Sequence, residues 1–254
     1  MIDIHCHILP GIDDGAKTLD ESVQMAQAAV AQGIETIIAT PHFNYHYNNE
    51  KAAILEQTAA FNKQLTEQNI PLTVLPGQEI RIYGEVVQDY QSGKLVSLAE
   101  TNYLMIELPS GHVPRFTERV LYELQLEGVI PVIVHPERNQ EIVQNPNLLY
   151  RLVKNGALTQ ITAASLCGGF GKNIKRFTQQ LIEANLTHFI ASDAHNVTTR
   201  SCKMAQAIEL LEKKCGSGTV YYFTENAHLL VKGSAVQREI PHRIKKRKLW
   251  GIFS

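Results

Sequence analysis

Short apolar segments alternate with helical segments along this chain, and most of the apolar segments end in a residue that can bind a metal ion. Seven of them have the length and β-branched composition of buried strands, and they lie at residues 1–7, 34–40, 72–81, 103–108, 129–138, 157–162 and 188–195. A weaker candidate for a further strand lies at residues 219–223. Strands that alternate with helices predict a parallel sheet, and in a parallel α/β barrel every C-terminal strand end opens onto the same mouth. We therefore expect an α/β fold whose polar strand ends meet at one site.

The ends of six of these strands carry the candidate metal ligands. His5 and His7 are two residues apart on the first strand, so their imidazoles face the same side. The later strand ends provide His42, Glu79, Glu107, His135, Asp193 and His195. A single histidine or glutamate in such a place is usually a packing or helix-capping residue, but burying several carboxylates together without cations is unfavourable. The set therefore predicts a shared metal site, whose mixed nitrogen and oxygen donors suit Mn²⁺, Fe or Zn²⁺ better than Ca²⁺ or Mg²⁺.

Composition fits a cytoplasmic protein and excludes one class of phosphatase. The 254 residues, 44% of them apolar, can bury a core as one α/β barrel or as two smaller domains. No apolar stretch reaches the ~18 residues that span a bilayer, and the N-terminus lacks the basic and apolar segments of a secretion signal. The four cysteines are scattered without a CxxC pair, which indicates reduced thiols, and none begins a CxxxxxR motif. We therefore expect a cytoplasmic protein that is not a cysteine-based phosphatase.

Charge divides the chain into a large acidic part and a short basic tail. Residues 238–254 carry a net charge of +5, so residues 1–237 carry −6 of the total of −1. The tail combines its cations with the only tryptophan, and such a segment can make weak contact with an anionic membrane surface or an acidic partner, or remain solvated. The acidic part has no basic face interleaved with aromatic residues, which argues against nucleic-acid binding. We predict a single domain over residues 1–237, followed by this tail.

Five short motifs resemble those of the polymerase and histidinol phosphatase (PHP) superfamily. They are DIHCH at 3–7, TPH at 40–42, GQEIR at 77–81, HPER at 135–138 and SDAH at 192–195. With DDG at 13–15 and ASDAHN at 191–196, the chain is similar to the bacterial manganese-dependent protein-tyrosine phosphatases of capsule and exopolysaccharide loci, from residue 1 to about residue 232. The resemblance implies a PHP fold, which is a distorted (β/α)7 TIM-like barrel with its metal site at the C-terminal strand ends.

The resemblance also implies three metal ions and the residues that hold each of them. One ion would be held by His5, His7, Glu79 and Asp193, a second by Glu79, Glu107 and His135, and a third by Asp14, His42 and His195. Glu79 would bridge two of the ions. The expected metal is Mn²⁺, with Fe, Zn²⁺ or Mg²⁺ as alternatives. Asp14 lies in a loop before a predicted helix, so helix capping is the alternative role for this residue.

The implied activity is hydrolysis of phosphotyrosine on proteins, including a bacterial tyrosine kinase that regulates capsule or exopolysaccharide synthesis. A metal cluster neutralises phosphate oxygens and lowers the pKa of bound water toward ~7, so we expect in-line attack by a metal-bound hydroxide without a phospho-enzyme intermediate. Arg81 and Arg138 stand close to candidate ligands, and a guanidinium can grip two phosphate oxygens at once. The alternative for both arginines is a salt bridge to a carboxylate such as Glu137.

Two other functions are compatible with the same residues. A phosphatase for a small metabolite, such as histidinol phosphate, would need loop side chains that hold a second substrate group. A non-catalytic module would instead dock a phosphotyrosine protein through bound metal. Residues 110–115 and 165–171 match no motif of the family, so the sequence does not identify the side chains that choose the substrate. It also leaves the oligomeric state open, including a homo-oligomer.

Overall fold

The computed structural model describes residues 1–244, which contain nine strands and ten α-helices. The strands are β1 (Ile2–Cys6), β2 (Thr36–Ala39), β3 (His42–Phe43), β4 (Thr73–Pro76), β5 (Glu79–Arg81), β6 (Tyr103–Glu107), β7 (Ile130–Val134), β8 (Leu158–Thr162) and β9 (Phe189–Ala191). The helices are α1 (Leu19–Val30), α2 (Lys51–Glu67), α3 (Val86–Gln91), α4 (Thr117–Leu126), α5 (Gln140–Gln144), α6 (Asn147–Lys154), α7 (Ala163–Cys167), α8 (Lys172–Glu183), α9 (Met204–Cys215) and α10 (Ser217–Val231). Strands and helices thus alternate over most of the chain, as the sequence predicts.

The paired strands in residues 1–244 are all parallel, and they form two sheets. One sheet has the order β1-β2-β4, and the other has the order β3-β5-β6-β7-β8-β9. All five residues of β6 are buried, as expected for a parallel strand that is covered on both faces. β1 also lies beside the end of β9, where the backbone N–H of Asp193 donates to the carbonyl oxygen of His5 (2.9 Å). The fold is therefore α/β with parallel sheets, while closure into a seven-stranded barrel stays a prediction.

The chain changes sheets at two places near predicted strands. The second predicted strand, residues 34–40, ends before Pro41, which has no N–H to donate to a neighbouring strand, and β3 follows it in the other sheet as a short strand that the sequence does not predict. The third is interrupted at Gly77, where an added side-chain carbon would lie 2.6 Å from Cγ2 of Ile38. Only glycine allows so close an approach of the backbone. After the two breaks, His42 and Glu79 are paired in register on neighbouring strands.

Local sequence explains where the first helix begins and why one late segment is helical. α1 is capped by Thr18, whose Oγ1 accepts from the backbone N–H of Glu21 (3.2 Å), and the Glu21 carboxylate accepts from the backbone N–H of Lys17 (2.7 Å), one residue before the partner that it has in a standard capping box. The candidate strand at residues 219–223 is wrong, because these residues lie within α10. Buried residues of α10 recur at intervals of three and four, which is the pattern of a helix packed on one face.

Side chains from both sheets pack together in one buried cluster. Its members include Ile4, Ile38, Met105, Val132, Leu158 and Phe189, which come from β1, β2, β6, β7, β8 and β9. Neighbouring residues of the same strands, such as Leu104 and Ile133, belong to a second and larger cluster that contains most of the buried helix residues. Most strands therefore carry apolar side chains on both faces. β8 is an exception, because Thr159 and Gln160 are buried within it.

The described part of the predicted tail, residues 238–244, packs against the body. The guanidinium of Arg243 donates to Oδ1 of Asn147 at 2.7 Å. The cluster of cations and the tryptophan for which we predict a membrane or partner contact lie at residues 245–254, outside the described residues. Within residues 1–244, every helix is too short or too polar to span a lipid bilayer.

Candidate metal centre

Glu79 lies in the middle of the candidate ligands. Its Oε2 is 3.3 Å from Nε2 of His5 and 3.2 Å from Nε2 of His7. The same oxygen is 3.1 Å from Nδ1 of His42, and Oε1 is 2.8 Å from Nε2 of His135. Burial disfavours the charged carboxylate, but the facing imidazoles of His5 and His42 outweigh burial and hold the pKa of Glu79 well below its usual range. A buried carboxylate that faces four imidazoles is suited to contact more than one cation.

Asp193 forms a deeply buried group with the two histidines of the first strand. Its Oδ1 lies 3.5 Å from Nε2 of His5 and 3.6 Å from Nε2 of His7. Nδ1 of His5 is hydrogen-bonded to Oε1 of Gln160 (2.9 Å), and Nδ1 of His7 is hydrogen-bonded to Oδ2 of Asp13 (2.7 Å). Each ring therefore presents Nε2 to the centre, and metal-binding histidines in proteins are oriented in the same way through their other nitrogen.

Asp14 joins His42 and His195 at the outer side of the centre. Its Oδ1 lies 3.2 Å from Nε2 of His42 and 3.3 Å from Nε2 of His195, and its side chain is 42% exposed. Partial burial opposes ionisation of Asp14, but the facing imidazoles of His195 and His42 outweigh it and lower the pKa of the carboxyl group. α1 takes its cap from Thr18. The structure thus places Asp14 with the predicted ligands of the third ion and leaves the capping role to another residue.

Glu107 forms a third group with His42 and Glu79, and their potential ligand atoms lie within 4.8 Å of one another. Burial and the negative charge of Glu79 raise the pKa of Glu107 to about 7, against the opposing charge of Arg81. Arg81 donates to both oxygens of this carboxylate, from Nε at 2.8 Å and from Nη2 at 2.9 Å. The predicted second set combines Glu107 with Glu79 and His135. The structure groups Glu107 with His42, and His135 reaches the set through Glu79.

The donor atoms of the centre fit cations better than they fit one another. Nδ1 of His42 and Nε2 of His195 are buried and face carboxylate oxygens, yet neither nitrogen forms a hydrogen bond. Among residues 1–244, three groups of potential ligand atoms lie within 4.8 Å of one another, and they are His7, Asp14, His42 and His195; His5, His7 and Asp193; and His42, Glu79 and Glu107. Nitrogen and oxygen donors gathered so closely, without sulfur, suit divalent transition metals. The residues present therefore fit a metal cluster.

Two candidate ligands have a strained backbone. His135 and Asp193 have φ angles of 36° and 51°, in the left-handed region that favours glycine. A residue with a side chain costs about 1 to 3 kcal/mol in such a conformation, which persists only where the surroundings enforce it. For Asp193 the enforcing contacts include the backbone hydrogen bond to β1 described above. Strain of this kind is concentrated at functional sites in proteins.

A cavity of about 390 Å³ opens beside the centre and is lined by three arginines, Arg81, Arg138 and Arg200. Nη2 of Arg138 lies 2.7 Å from Oδ2 of Asp193, and Nη2 of Arg200 lies 3.2 Å from Oδ1 of the same carboxylate. Arg81 pairs with Glu107. Each guanidinium thus contacts a carboxylate that is itself a candidate ligand, and all three also face the cavity.

Arg81 and Arg138 form salt bridges, as in the alternative considered from the sequence, but with Glu107 and Asp193 and not with Glu137. Glu137 is buried, and its Oε1 accepts hydrogen bonds from the backbone N–H of Thr162 (2.9 Å) and from the hydroxyl of Ser165 (2.7 Å). Glu137 therefore holds the start of the segment 163–167 in place, and the two arginines predicted from sequence are left to the carboxylates of the centre.

Comparison with known proteins assigns the family. Residues 1–232 match the model of the family described as capsular polysaccharide synthesis, CpsB/CapC. The chain belongs to the CpsB/CapC family. It is 57% identical to the tyrosine-protein phosphatase YwqE of Bacillus subtilis (strain 168), over 254 residues and the whole of both chains. It is 38% identical to the putative tyrosine-protein phosphatase CapC of Staphylococcus aureus, over 98% of each chain.

A solved structure agrees with this family assignment. It superposes with a TM-score of 0.95 at 56% sequence identity, and the match covers 97% of this chain and 100% of the other. It is one of the crystal structures of YwqE from Bacillus subtilis and CpsB from Streptococcus pneumoniae, which are described as unique metal-dependent tyrosine phosphatases. The resemblance to the bacterial phosphatases of capsule loci is therefore confirmed.

Three side chains that contact the candidate ligands were not predicted, because they do not follow the end of a predicted strand. Asp13 orients His7, and the one signal for it is its place beside Asp14 in the DDG motif. Gln160 lies within β8, where nothing in the sequence separates it from an ordinary strand residue. Arg200 follows the SDAH motif in a loop, and its only signal is a basic residue soon after a candidate ligand. Asp13 and Arg200 contact ligands six and seven residues away through turns of their loops, and Gln160 contacts His5 from a distant strand.

Proposed function

We propose that this chain is a metal-dependent protein-tyrosine phosphatase, a phosphoric monoester hydrolase that acts on phosphotyrosine in proteins. One observation carries the proposal: histidines, carboxylates and arginines converge on a cavity of about 390 Å³ in a chain that is 57% identical to a tyrosine-protein phosphatase. A phosphate monoester carries negative charge that must be neutralised before attack at phosphorus, and cations held by this site would provide that. None of the described residues that line the cavity is a cysteine.

The proposed cofactor is Mn²⁺, as three ions, with Fe, Zn²⁺ or Mg²⁺ as alternatives. The residues that would hold the ions are His5, His7, Asp14, His42, Glu79, Glu107, His135, Asp193 and His195. When bound, such ions supply the Lewis acidity that hydrolysis of a phosphate monoester requires. The chain itself fixes the ligand rings, because Asp13 and Gln160 hold the histidines of the first strand with Nε2 toward the centre.

Arg81, Arg138 and Arg200 bind the phosphate oxygens in this proposal. A guanidinium is planar and permanently charged, and its paired N–H groups match two phosphate oxygens. The carboxylates that contact these arginines are Glu107 and Asp193, which are also proposed metal ligands. Carboxylate charge that is shared with metal ions leaves guanidinium N–H groups free to donate to phosphate. The arginines therefore link the metal centre to the substrate.

Removal of metal tests the proposal. We expect chelator-treated protein to lose the release of phosphate from a phosphotyrosine peptide, and added Mn²⁺ to restore it. Metal analysis of the restored protein should show about three ions per chain. Undiminished hydrolysis by protein that metal analysis shows to be free of metal would contradict the proposal.

The same assay separates the two other functions considered from the sequence. Faster hydrolysis of histidinol phosphate than of the peptide would favour a small-metabolite phosphatase. Binding of the peptide without sustained release of phosphate would favour a docking module. We expect sustained release from the peptide, because every acidic residue that lines the cavity within residues 1–244 is a proposed metal ligand. No further carboxylate of the lining in that range is left to pair with the amino group of histidinol.

We further propose that the strands close into a distorted (β/α)7 barrel and that residues 1–237 form a single domain. The bonds between β1 and the end of β9 support closure, as does the buried cluster that draws side chains from both sheets. In such a barrel the candidate ligands surround the C-terminal mouth.

The family description connects this chain with capsular polysaccharide synthesis. We propose that its substrate is a phosphotyrosine protein in the cytoplasm, a bacterial tyrosine kinase or a protein that such a kinase modifies, in capsule or exopolysaccharide synthesis. In this proposal the tail at residues 238–254 contributes a weak contact with a membrane surface or a partner, and nucleic acid has no part.

A further inference from the structure

One loop beside the cavity takes no part in holding metal. It comprises residues 44–48, directly after β3, and its residues Asn44, His46 and Tyr47 line the cavity. Oδ1 of Asn44 accepts hydrogen bonds from the backbone N–H groups of His46 (2.8 Å) and Tyr47 (3.1 Å). The backbone N–H of Asn44 donates to the carbonyl oxygen of Tyr47 (2.8 Å). These bonds close a turn on itself, so the loop is ordered before a ligand binds, which favours selective binding.

Tyr47 gives the cavity a flat aromatic wall. Its ring lies 6.0 Å from the imidazole of His42, centre to centre, and the two planes differ by only 12°. Tyr47 is the only phenylalanine, tyrosine or tryptophan among the lining residues of the described chain. Leu108 and Val134 also line the cavity, but they are 4% and 1% exposed and offer a ligand little surface. An aromatic ring that enters this cavity therefore finds one benzene ring in the described lining, that of Tyr47, besides the imidazoles of the lining histidines.

We propose that Tyr47 is a specificity-determining residue, which stacks against the phenyl ring of the substrate and so selects aryl over alkyl phosphate monoesters. The inference rests on the proposed function, since it concerns the ring of the phosphotyrosine whose phosphate the centre holds. Tyr47 stands against His42, a proposed metal ligand, so a phosphate held by ions at this centre would lie in the cavity that Tyr47 lines. Phosphoserine and phosphothreonine have no ring and gain nothing from this contact.

A binding experiment isolates the ring from the phosphate. Phenylphosphonate and methylphosphonate share the phosphonate group and differ in the ring, and neither has an ester bond to hydrolyse. Calorimetric titration of Mn²⁺-loaded wild-type protein should show tighter binding of phenylphosphonate. We expect Tyr47→Ala to reduce this preference about tenfold, because an aromatic contact and the burial of apolar surface are both lost. Tyr47→Phe should keep the preference, since it keeps the ring.

Tyr45 provides a matched control within the same loop. Its side chain is 98% exposed, and it is not among the described residues that line the cavity. Tyr45→Ala removes an aromatic ring from the same turn, so it reports any general disturbance of the loop. We expect this variant to keep the wild-type preference and the wild-type metal content.

The outcomes divide clearly. A preference for phenylphosphonate that survives Tyr47→Ala, or that is lost equally in Tyr47→Phe or Tyr45→Ala, overturns the proposal. So does an equal fall in affinity for both phosphonates together with loss of metal, which would mean that Tyr47 supports His42.

With phosphotyrosine peptide, Tyr47→Ala should raise KM about tenfold and leave kcat near the wild-type value. Wild-type protein that prefers phenylphosphonate yet releases no phosphate from the peptide would refute the proposed function and leave the aromatic contact standing.

Discussion

β9 has a histidine before its first residue and another after its last, and their surroundings are opposite. His188 is buried, and its Nδ1 accepts a hydrogen bond from the backbone N–H of Thr159 (3.1 Å). His195 is equally buried, but its Nε2 lies 3.3 Å from Oδ1 of Asp14 without a hydrogen bond, and its Nδ1 lies 3.6 Å from Oδ1 of Asp193. Burial lowers the pKa of both, to about 3 for His188 and about 4 for His195. The pKa therefore does not separate the two histidines, whereas the chemistry of their partners does.

The comparison shows how one strand serves stability at one end and function at the other. A backbone donor satisfies His188 and ties β9 to β8, which is a structural role. Nδ1 of His195 is hydrogen-bonded to the backbone carbonyl oxygen of Asp193 (3.1 Å), whereas Nε2 faces the Asp14 carboxylate without a hydrogen bond, which is the arrangement of a metal ligand. Residues at the C-terminal ends of parallel strands are generally the functional ones, and those at the other end matter for stability. Substitutions at the two ends of β9 should therefore have separable effects.

The largest effect is expected at Asp193, at the functional end. Asp193→Asn keeps the size of the side chain and tolerates the left-handed backbone, but it removes the charge that faces three histidines and two arginines. We expect kcat/KM for a phosphotyrosine peptide to fall about 10³-fold, roughly 4 kcal/mol, with loss of bound metal. Steady-state kinetics and metal analysis measure the two effects.

His188→Asn is the matched control at the other end of the strand. Asparagine keeps an acceptor for Thr159, so activity and metal content at pH 7.5 should stay near wild type. Equal losses of activity in the two variants would mean that β9 has no functional end, and the comparison would fail.

Arg138→Ala should give the next largest effect. The guanidinium contacts Asp193 at 2.7 Å and faces the cavity, so its removal deletes a charge-assisted bond to phosphate. Such bonds are worth about 1.5 to 3 kcal/mol, so we expect a fall of roughly 10- to 100-fold in kcat/KM. Metal content should remain near normal. A variant that loses its metal instead would show that Arg138 serves to hold Asp193 and not the substrate.

The sequence predicts the functional end of the strands better than it predicts the loops that complete it. Ligand types follow apolar segments directly, so His5, His7 and Asp193 can be read from local pattern alone. Arg200 cannot, because the loop before it turns back on itself. The backbone N–H of His195 donates to the carbonyl oxygen of Arg200 at 2.9 Å, and only this return brings the guanidinium to Asp193. Loop geometry of this kind depends on contacts that hydrophobic periodicity does not encode.

The same limit explains the two changes of sheet. Apolar content predicts that residues 34–40 and 72–81 are extended, and this is confirmed, but it does not predict that the chain changes sheets at Pro41 and Gly77. The change at Gly77 depends on the methyl group of Ile38 in another strand. Tertiary packing sets such close approaches. The local pattern therefore predicts that strands run parallel, but it does not predict how many strands there are.

A smaller effect is expected at Asp13, which contacts the centre through Nδ1 of His7 and the backbone N–H of His42. Asp13→Asn keeps the shape of the side chain but removes the charge beside Nδ1 of His7, where the distance is 2.7 Å. Changes in partners of this kind typically weaken metal binding by about 10- to 100-fold. We expect activity to be recovered at higher Mn²⁺ concentration, with chelator competition measuring the affinity. Asp20→Asn, at an exposed position in the first turn of α1, is the control and should match wild type.

The smallest effect concerns stability alone and tests the structural end of β9. Burial, with the charge of Arg238, lowers the pKa of His188 to about 3, whereas an unfolded histidine has a pKa near 6.5. As the pH falls from 7 to 5, the unfolded chain takes up a proton at this residue and the folded chain does not, so folding is weakened by about 2 kcal/mol. His188→Asn cannot titrate and should lack this part of the loss. Urea unfolding of chelator-treated wild type and variant at both pH values measures the difference, because all other histidines are common to the two proteins. An identical loss in both would show that His188 is protonated in the folded chain at pH 5 and would contradict this prediction.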